Sequence, residues 1–332
     1  MIHVENNVSL RNFHTFRIDS QCKHYCCVKT EDDIIDVMHQ TDENIFILGN
    51  GSNTIFCNDF HGLIIHNKIN GIEVLKETAN DITLKVGAGE QWSGFVDWCI
   101  CNNYFGIENL VMIPGTIGGA IVQNIGAYGV EVSNVVDGVN VIDNKTFKSL
   151  YISNDECRFS YRDSIFKCSN YVITNVVFVL SKKERPNIRY KSLNDAIKSS
   201  GCNVTAKDVS NVIKQLRSQR IPDPNIVHNS GSFFKNVIIS KESCYKLLAK
   251  YPDIKAYDNG DGLVKISTGQ LIELCGLRGF EKNNIRIHDG NAMILTNNGK
   301  ATGKDLTDMF DYIRGKVYNK FGITIEPEVL MI

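Results

Sequence analysis

The chain has 332 residues, of which 43% are hydrophobic and 22% are charged, and its formal net charge is -1 at pH 7. This length allows two or three domains with well-filled cores, and the near-zero charge gives no basis for binding nucleic acid or anionic membranes. No apolar run approaches the ~20 residues that span a bilayer, and the first residues lack a signal-peptide core, so we expect a cytoplasmic protein.

The cysteines indicate a reducing compartment rather than a disulfide framework or a metal site. There are eleven, an odd number, and no Cys-x-x-Cys pair occurs. Zinc sites and thioredoxin-like motifs use such pairs, so neither is indicated. Most of the cysteines have apolar neighbours, and we expect them to be buried thiols. No His, Asp or Glu cluster has the spacing of metal ligands, and we expect no catalytic metal.

The first predicted helix covers residues 31–40 and carries a clear start signal. Thr30 is placed as its N-cap, and Asp33 sits at the third helical position, where it can complete a capping box. A buried strand is predicted at 45–48. An extended segment follows at 54–57, after a loop with the sequence GNGSN.

The position of this loop argues against a Rossmann nucleotide-binding unit, which needs a strand, a GxGxxG loop and then a helix. Here the glycines lie between two extended segments. Gly and Asn tolerate unusual backbone angles and expose free N–H groups, so the loop can cradle a phosphate. A tight hairpin turn explains the same residues equally well at this point.

The remaining periodicities predict a mixed α and β chain without repeats. A linker is expected at 181–187, where the sequence is SKKERPN. The predicted strands are 63–66, 82–86, 135–142, 171–180, 293–296 and a terminal strand broken by Pro327, and the predicted helices are 92–102, 206–217, 241–250, 270–275 and 304–320.

Residues 108–130 form the most unusual stretch, because it concentrates glycine after Pro114. Glycine loses the most backbone freedom on folding, so a run of glycines is expected where backbone turns sharply or approaches a bulky group. We interpret the stretch as backbone shaped around a large, partly anionic cofactor, with a structural glycine-rich hairpin as the alternative. Its glycines are Gly115, Gly118, Gly119, Gly126 and Gly129, and its amide and phenol groups are Gln123, Asn124 and Tyr128.

Several motifs, taken in order and spacing, resemble the UDP-N-acetylenolpyruvoylglucosamine reductase family. Each is weak alone, but the ordered set is specific and covers almost the whole chain. The motifs are LGNGSN (48–53), IPGTIGGAIVQNIGAYG (113–129), YRDSIFK (161–167), NSGSFFKN (229–236) and EPEV (326–329).

The resemblance implies an α+β fold with three parts. Residues 1–67 and 68–200 would be two subdomains of an FAD-binding module of the vanillyl-alcohol oxidase type. Residues 201–332 would form a C-terminal α+β domain that closes over a UDP-sugar. Tyr190, in the sequence RYKSL, resembles the tyrosine of a substrate-covering loop that marks the longer type of this enzyme.

The resemblance also implies the cofactors. FAD would be bound non-covalently, and NADPH would be a co-substrate. The residues that match the family's cofactor-binding positions are Gly49, Asn50, Gly51, Ser52, Asn53, Gly115, Gly118, Gly119, Gln123 and Gly126.

The resemblance implies catalytic roles for three residues. Arg162 matches the arginine that activates the substrate, Ser232 the serine that donates a proton, and Glu328 the C-terminal acid. Arginine can fork to a carboxylate on which charge develops, and serine can act as a general acid when its proton is restored.

Substrate contacts are implied for Tyr161, Tyr190, Arg220 and Asn236. Arg220 departs from the family pattern, in which lysine usually precedes the PDP sequence. The charge is kept, but a planar guanidinium does not have the geometry of an ammonium group.

The implied reaction reduces the double bond of an enolpyruvyl ether on a UDP-sugar, in peptidoglycan synthesis. Two alternatives stay open on the sequence alone. One is another FAD-dependent sugar or alcohol oxidoreductase with the same cofactor module, and the other is a catalytically idle flavin- or UDP-sugar-binding protein. We expect UDP-N-acetylenolpyruvoylglucosamine and NADPH as partners, a monomer, and no nucleic-acid or membrane partner.

Overall fold

A computed structural model describes residues 2–201 and 204–332 of the chain. Contacts divide the described residues into two compact units. The first unit takes its residues from Met1–Val8, Cys22–Asn50 and His61–Arg217. The second takes its residues from Ser9–Gln21, Gly51–Phe60 and Ser218–Ile332. Each unit is therefore assembled from three separate segments of chain.

Strands and helices alternate irregularly along the described residues. The strands are β1 Val4–Ser9, β2 Gln21–Val28, β3 Ile45–Leu48, β4 Thr54–Ile55, β5 Phe60–Asn67, β6 Ile72–Glu77, β7 Asp81–Gly87, β8 Gly126–Ala127, β9 Val130–Glu131, β10 Val136–Asp143, β11 Ser149–Ser153, β12 Tyr171–Ser181, β13 His228–Asn229, β14 Val237–Ser240, β15 Ala256–Asp258, β16 Leu263–Ile266, β17 Glu281–Lys282, β18 Ile285–Ile287, β19 Leu295–Asn297 and β20 Leu330–Met331. The α-helices are α1 Glu31–His39, α2 Trp92–Cys101, α3 Ile117–Val122, α4 Lys191–Ser200, α5 Ala206–Ser218, α6 Lys241–Lys250, α7 Thr268–Leu274 and α8 Gly303–Phe321.

The first unit contains a four-stranded sheet in the order β1-β2-β5-β3, in which β3 and β5 are parallel. Helix α1 buries Ile34, Val37 and Met38 in one apolar cluster with Leu63 and Ile65 of β5. The predicted cap of this helix is confirmed, because the Thr30 side chain and the Asp33 side chain complete a capping box. Local signals in the sequence therefore set the start of α1.

A second, antiparallel sheet of this unit has the strand order β11-β10-β12-β7-β6. The alternating residues Ile82, Leu84 and Val86 of β7 are fully buried, as expected for a strand with one face toward a core. Trp92 and Phe95 of α2 join the same cluster. Trp92 also donates its ring N–H to the carbonyl oxygen of Leu110 at 2.8 Å, so the burial of the indole leaves no donor unpaired.

The second unit has its own apolar core around α8. This helix begins at a capping box formed by Thr302 and Asp305. It buries one stripe, whose members are Leu306, Met309, Ile313 and Val317. Two small sheets, β13-β19-β18-β17 and β14-β16-β15, complete the unit together with a parallel pair formed by β4 and β20. The fold class is α+β, as the sequence predicted.

Several elements differ from the sequence-based expectations. The glycine-rich stretch contains a helix, α3, where only shaped loop was expected. Helix α4 and strand β2 have no counterpart among the predicted elements. The terminal strand is restricted to Leu330–Met331, because Pro327 makes only an isolated bridge with Phe234 and has no N–H to extend a ladder.

Two expectations about solvent exposure can be compared with the structure. Cysteines are less uniformly buried than expected, since Cys27, Cys101 and Cys168 are exposed. Burial raises the pKa of the Cys26 thiol to about 12, which makes that group unreactive at neutral pH.

Among the described residues, none of the helices combines the length and the apolarity that crossing a membrane would require.

Candidate active site

The loop that follows β3 lies directly against the glycine-rich stretch within the first unit. A methyl group built on Gly49 would lie 2.6 Å from Oγ1 of Thr116, well inside van der Waals contact. The side-chain amides of Asn50 and Gln91 donate to each other's carbonyl oxygens, with one distance of 3.2 Å. The structure therefore brings together two separate segments that the resemblance assigns to the cofactor, at residues 49–50 and 115–119.

Thr116 organises the start of the short helix α3. Its side chain accepts a hydrogen bond from the backbone N–H of Gly119 at 3.3 Å, as an N-cap does. Gly115 has φ of 127°, a conformation that favours glycine. The N–H of Gly118 donates to the carbonyl oxygen of Ala88 at 2.8 Å, which fixes α3 against the end of β7. Gln123 is buried at the C-terminal end of the same helix.

Gly126 and Arg162 form the next part of the site. Arg162 donates from its guanidinium to the carbonyl oxygen of Gly126 at 2.6 Å. A Cβ on Gly126 would lie 2.9 Å from Cγ of Glu131 and 3.0 Å from another nitrogen of the same guanidinium, so a larger residue here would require these side chains to shift. The guanidinium also lies over the ring of Tyr161, 5.2 Å from its centroid. Gly126 thus orients the arginine that the sequence assigns to the substrate.

The backbone at Arg162 is held in an uncommon conformation. Its φ is 57°, in the left-handed region that non-glycine residues rarely adopt. Ser160 and Asp163 exchange backbone hydrogen bonds on either side of it, at 3.0 and 3.1 Å. Residues 161 and 162 therefore occupy the tip of a tight turn. Strain of this kind concentrates at functional sites, where the surrounding structure maintains it.

The other three residues of the GNGSN loop belong to the second unit. Gly51 has φ of 59°, and a Cβ at this position would lie 2.0 Å from the carbonyl oxygen of Phe13. Asn53 donates from its side-chain amide to the carbonyl oxygen of Glu328 at 3.2 Å. Ser52 lies between them and is half-buried. Only glycine fits at residue 51, for reasons of both space and backbone angle.

Ser232 and Glu328 lie close together in the second unit, because the segments that carry them pair. The backbone N–H of Glu328 donates to the carbonyl oxygen of Phe233 at 2.7 Å, and the N–H of Lys235 donates to that of Glu326 at 3.0 Å. Both Ser232 and Glu328 are half-buried. The two motifs of this unit to which the resemblance assigns catalytic residues, NSGSFFKN and EPEV, are thus neighbours in space although about ninety positions separate them in the sequence.

The four residues expected to contact substrate are distributed over both units. In the first unit Tyr190 is 45% exposed and meets Tyr128 edge to face, with ring centroids 5.6 Å apart. In the second unit Arg220 is exposed, and Asn236 accepts a hydrogen bond from the N–H of Thr268 at 3.2 Å. Tyr161 is half-buried under Arg162.

Comparison with known proteins defines the class first. A family profile described as "FAD binding domain" matches residues 22–146, the segment that holds β3, the GNGSN loop and α3. This segment is therefore an FAD-binding domain, and the class of the protein is a flavin-dependent oxidoreductase. A second profile, described as "UDP-N-acetylenolpyruvoylglucosamine reductase, C-terminal domain", matches residues 223–332.

Relatives over the full length identify the family. A UDP-N-acetylenolpyruvoylglucosamine reductase of Aliivibrio fischeri is 38% identical over 329 residues, covering 97% of this chain and 93% of its own. One of Flavobacterium johnsoniae is 36% identical and covers both chains fully. The chain belongs to the UDP-N-acetylenolpyruvoylglucosamine reductase family. A crystal structure of the Thermus caldophilus reductase shares the fold, with a TM-score of 0.71, 20% identity, and coverage of 100% of this chain and 99% of that one.

Thr116 and Gln91 contact the candidate cofactor-binding residues, and sequence reasoning did not single them out. Thr116 caps α3 and contacts Gly49, and Gln91 pairs with Asn50. The sequence does contain a signal for Thr116. A threonine often caps a helix by accepting a hydrogen bond from the backbone N–H three residues later, here that of Gly119. No local pattern indicates Gln91, since its partner lies on a loop about forty residues earlier in the chain.

Proposed function

We propose that this chain carries out the reaction of its family with Arg162, Ser232 and Glu328 as catalytic residues. The reaction is the NADPH-dependent, FAD-mediated reduction of the enolpyruvyl group of UDP-N-acetylenolpyruvoylglucosamine to UDP-N-acetylmuramate, in peptidoglycan synthesis. The observation that supports the residue assignment is the backbone hydrogen bond from Glu328 to Phe233, because it joins the segments that carry the proposed acid and the proposed serine.

The residues of the first unit fit FAD as a cofactor. Gly49 and Gly118 keep the backbone free of side chains where two loops meet, and Gly115 has a backbone angle suited to glycine. Consecutive backbone N–H groups in a loop of Gly and Asn residues, such as residues 49–53, suit a pyrophosphate. When bound, FAD accepts a hydride from NADPH and delivers it to the enolpyruvyl double bond.

We assign Arg162 to the substrate carboxylate. Negative charge builds on that carboxylate as the double bond receives a hydride, and a guanidinium held in place beforehand stabilises it without reorganisation. The Gly126 carbonyl and the Tyr161 ring hold the group in one orientation. This support is consistent with a role in the reaction rather than in a surface ion pair.

Ser232 would then provide the proton that completes the reduction. Its Oγ gives a proton to the carbon next to the carboxylate, while the hydride is added at the terminal carbon of the same double bond. The backbone N–H of Glu328 bonds to the carbonyl oxygen of Phe233, the residue after the serine. In its protonated form, Glu328 could donate a hydrogen bond to the carboxylate of the substrate. A positioned general acid contributes about 10²–10⁴-fold to such a step.

Substrate and boundary assignments extend this proposal. Tyr161, Tyr190, Arg220 and Asn236 would hold the UDP-sugar, with the exposed Arg220 facing its negative charge. We keep the division into two FAD-binding subdomains at 1–67 and 68–200 and a substrate domain at 201–332. A monomer in the cytoplasm is also proposed, and size-exclusion chromatography with light scattering tests the monomer.

The test of the function is a NADPH-oxidation assay on the purified, yellow protein. We expect oxidation that depends on UDP-N-acetylenolpyruvoylglucosamine and yields UDP-N-acetylmuramate by mass spectrometry. Oxidation that needs only oxygen and NADPH, or that responds to simple sugars and alcohols, would instead favour another flavin oxidoreductase. Acid precipitation should release the flavin into the supernatant, because the FAD is held non-covalently.

A further inference from the structure

Asn124 belongs to the glycine-rich stretch, and its side chain contacts the turn that carries Arg162. The residue is fully buried. Its amide nitrogen donates to the backbone carbonyl oxygen of Ser160 at 2.9 Å and to a carboxylate oxygen of Glu131 at 3.0 Å. Its amide oxygen accepts from the backbone N–H of Ser133 at 3.2 Å. Three protein groups therefore use both ends of this amide.

These partners fix the orientation of the amide. A carbonyl oxygen and a carboxylate oxygen only accept, so the nitrogen end must face Ser160 and Glu131. A backbone N–H only donates, so the oxygen end must face Ser133. The backbone of Asn124 has φ of 42°, in the left-handed region that asparagine enters more readily than most residues. The position thus requires both an unusual backbone angle and a side chain with a donor and an acceptor.

The contact with Ser160 reaches the backbone that closes the turn of Arg162. The carbonyl oxygen of Ser160 accepts from the N–H of Asp163 at 3.1 Å as well as from Asn124. A carbonyl oxygen has two lone pairs, so it can accept both hydrogen bonds at once. Arg162 itself has the strained backbone angle, with φ of 57°. The amide of Asn124 is therefore bound to the residue pair that maintains this strain.

The same turn is attached to the glycine-rich stretch at two further points. Ser164 donates from its hydroxyl to the carbonyl oxygen of Val122 at 2.8 Å, and the guanidinium of Arg162 donates to the carbonyl oxygen of Gly126. The turn thus lies along residues 122–126. Val122 and Gly126 contribute backbone carbonyls, whereas Asn124 contributes a side chain. The contact made by Asn124 can therefore be removed by substitution.

We propose that Asn124 is a positioning residue for Arg162, which it serves by holding the backbone of the turn at Ser160. This inference rests on the proposed function, in which the guanidinium stabilises charge on the substrate carboxylate. The bond to Gly126 orients the guanidinium, but the strained backbone below it needs its own support. A displacement of about 1 Å at a reacting group can cost on the order of 10²-fold in rate.

The kinetic test uses the FAD-loaded enzyme and Asn124→Asp. An aspartate has nearly the shape of asparagine and still accepts from Ser133, but as a carboxylate it donates no hydrogen bond to Ser160. We expect kcat to fall ~10-fold or more, while KM stays within about threefold and FAD content stays at wild-type level. In an Arg162→Ala background the same substitution should lower kcat less than about twofold, because the group that it positions is already absent.

Amide hydrogen exchange, followed by mass spectrometry, measures the turn without turnover. The N–H groups of Ser160 and Asp163 close the turn by pairing with each other's carbonyl oxygens. Both should exchange at least ~10-fold faster in Asn124→Asp than in wild type, because the turn opens more often. Exchange at the wild-type rate in the folded variant would show that Asn124 does not hold the turn, and would overturn the proposal.

The matched control is Asn297→Asp, in the second unit. Asn297 is a buried asparagine whose amide donates to the carbonyl oxygen of Phe16 at 2.8 Å and accepts from the N–H of Gly299 at 2.7 Å. The control loses a buried amide donor in the same way as Asn124→Asp. It should lower the melting temperature, but kcat and the exchange rates at the turn should not change.

The double-variant result is decisive for the kinetic part. Wild-type kcat in folded Asn124→Asp, or an equal loss of kcat with and without Arg162, would overturn the proposal. If Asn124→Asp does not fold, Asn124→Gly replaces it, because glycine adopts the same backbone angle and adds no charge beside Glu131; the same outcomes then apply. A wild-type enzyme that does not reduce UDP-N-acetylenolpyruvoylglucosamine would count against the proposed function, and the exchange rates would still decide whether Asn124 holds the turn.

Discussion

Arg162 donates to the carbonyl oxygen of Gly126 at 2.6 Å, and so joins the motif assigned to substrate with the motif assigned to cofactor. The arginine sits at the tip of a strained turn with φ of 57°. Its guanidinium has five donors in a rigid fork, and one of them is used to fix the plane of the group. A side chain held in this way is suited to a charge that appears only during the reaction.

Replacement of this arginine should therefore reduce turnover more than binding. For Arg162→Ala we expect kcat to fall about 10²–10³-fold, the usual loss for one preorganised group at a developing charge. FAD content should stay at wild-type level. Steady-state kinetics at several substrate concentrations make the measurement, and a rise in KM with unchanged kcat would show that the arginine binds the ground state instead.

Ser232 permits a separation of the two half-reactions. Reduction of the flavin by NADPH requires no proton at the substrate carbon, whereas completion of the substrate reduction does. Ser232→Ala should therefore be reduced by NADPH near the wild-type rate under anaerobic conditions, but should be reoxidised by substrate at least ~10²-fold more slowly. Stopped-flow absorbance of the flavin follows both steps.

A cysteine at this position provides the matched variant. Ser232→Cys should recover part of the reoxidation rate, because a thiol can also donate a proton. Ser232 follows Gly231, which has φ of 67°, so a purely conformational role for this turn is the competing explanation. Reoxidation of Ser232→Ala at the wild-type rate would support that explanation and require a different acid.

The close contact between Gly49 and Thr116 predicts a steric effect of substitution at Gly49. In Gly49→Ala the new methyl group would lie 2.6 Å from Oγ1 of Thr116, so the loop or the cap of α3 must move. We expect weaker FAD binding, with the Kd raised ~10-fold or more, and a lower melting temperature. Titration of the apoprotein with FAD and a thermal unfolding curve measure both effects.

Gly94 is the matched control for that substitution. It is exposed in the first turn of α2, and a Cβ there would meet only the Cβ of Gln91 at an ordinary 3.8 Å. Alanine is a better helix former than glycine, so Gly94→Ala should stabilise the protein by about 0.5–1 kcal/mol. Its affinity for FAD should not change. If Gly49→Ala and Gly94→Ala bound FAD with equal affinity, the close contact of Gly49 with Thr116 would not be important for FAD binding.

Because His14 is buried, we expect the free energy of unfolding to decrease in mild acid. It is 2% exposed, its Nε2 lies 3.1 Å from the carbonyl oxygen of Ile18, and burial lowers its pKa to about 4. In the unfolded chain this histidine binds a proton near pH 6.5. As the pH falls from there toward 4, proton binding stabilises the unfolded state relative to the folded state, and the free energy of unfolding decreases. The contribution is on the order of 3 kcal/mol at most, since each unit of pKa difference is worth about 1.4 kcal/mol.

The measurement is the free energy of unfolding in urea at pH 7 and pH 5 for wild type and His14→Asn. Asparagine keeps an N–H donor but does not take up a proton in this pH range. The free energies of unfolding at pH 7 and pH 5 should therefore differ less in His14→Asn than in wild type. His61→Asn, at an exposed position, should keep the wild-type difference. An unchanged pH dependence in His14→Asn would show that this histidine is not the sensitive group.

Local signals in the sequence predicted the capped helices well. Thr30 with Asp33 and the apolar stripe of α8 are short-range patterns, and the structure confirms both elements. Helix α3 was missed because Gly118 and Gly119 disfavour a helix by about 1 kcal/mol each. It forms because Thr116 caps it and because Ile117 and Ile121 are fully buried, which depends on the rest of the fold.

The site was predictable as a set of motifs but not as an arrangement. Matching segments indicated Gly49, Arg162, Ser232 and Glu328 without showing which of them meet. The Gly49–Thr116 contact and the pairing of Phe233 with Glu328 join segments that are distant in the sequence. Such pairings depend on long-range packing, which single-sequence periodicity does not contain.

The parallel pair of β4 and β20 sets an order of events during protein synthesis. Residues Thr54 and Ile55 leave the ribosome long before their strand partners, Leu330 and Met331, have been translated. The second unit therefore cannot complete this pairing while the chain grows, whereas all segments of the first unit are available once residue 217 has emerged. The second unit thus completes its fold only after Leu330 and Met331 have emerged, which is later than the first unit can complete its own fold.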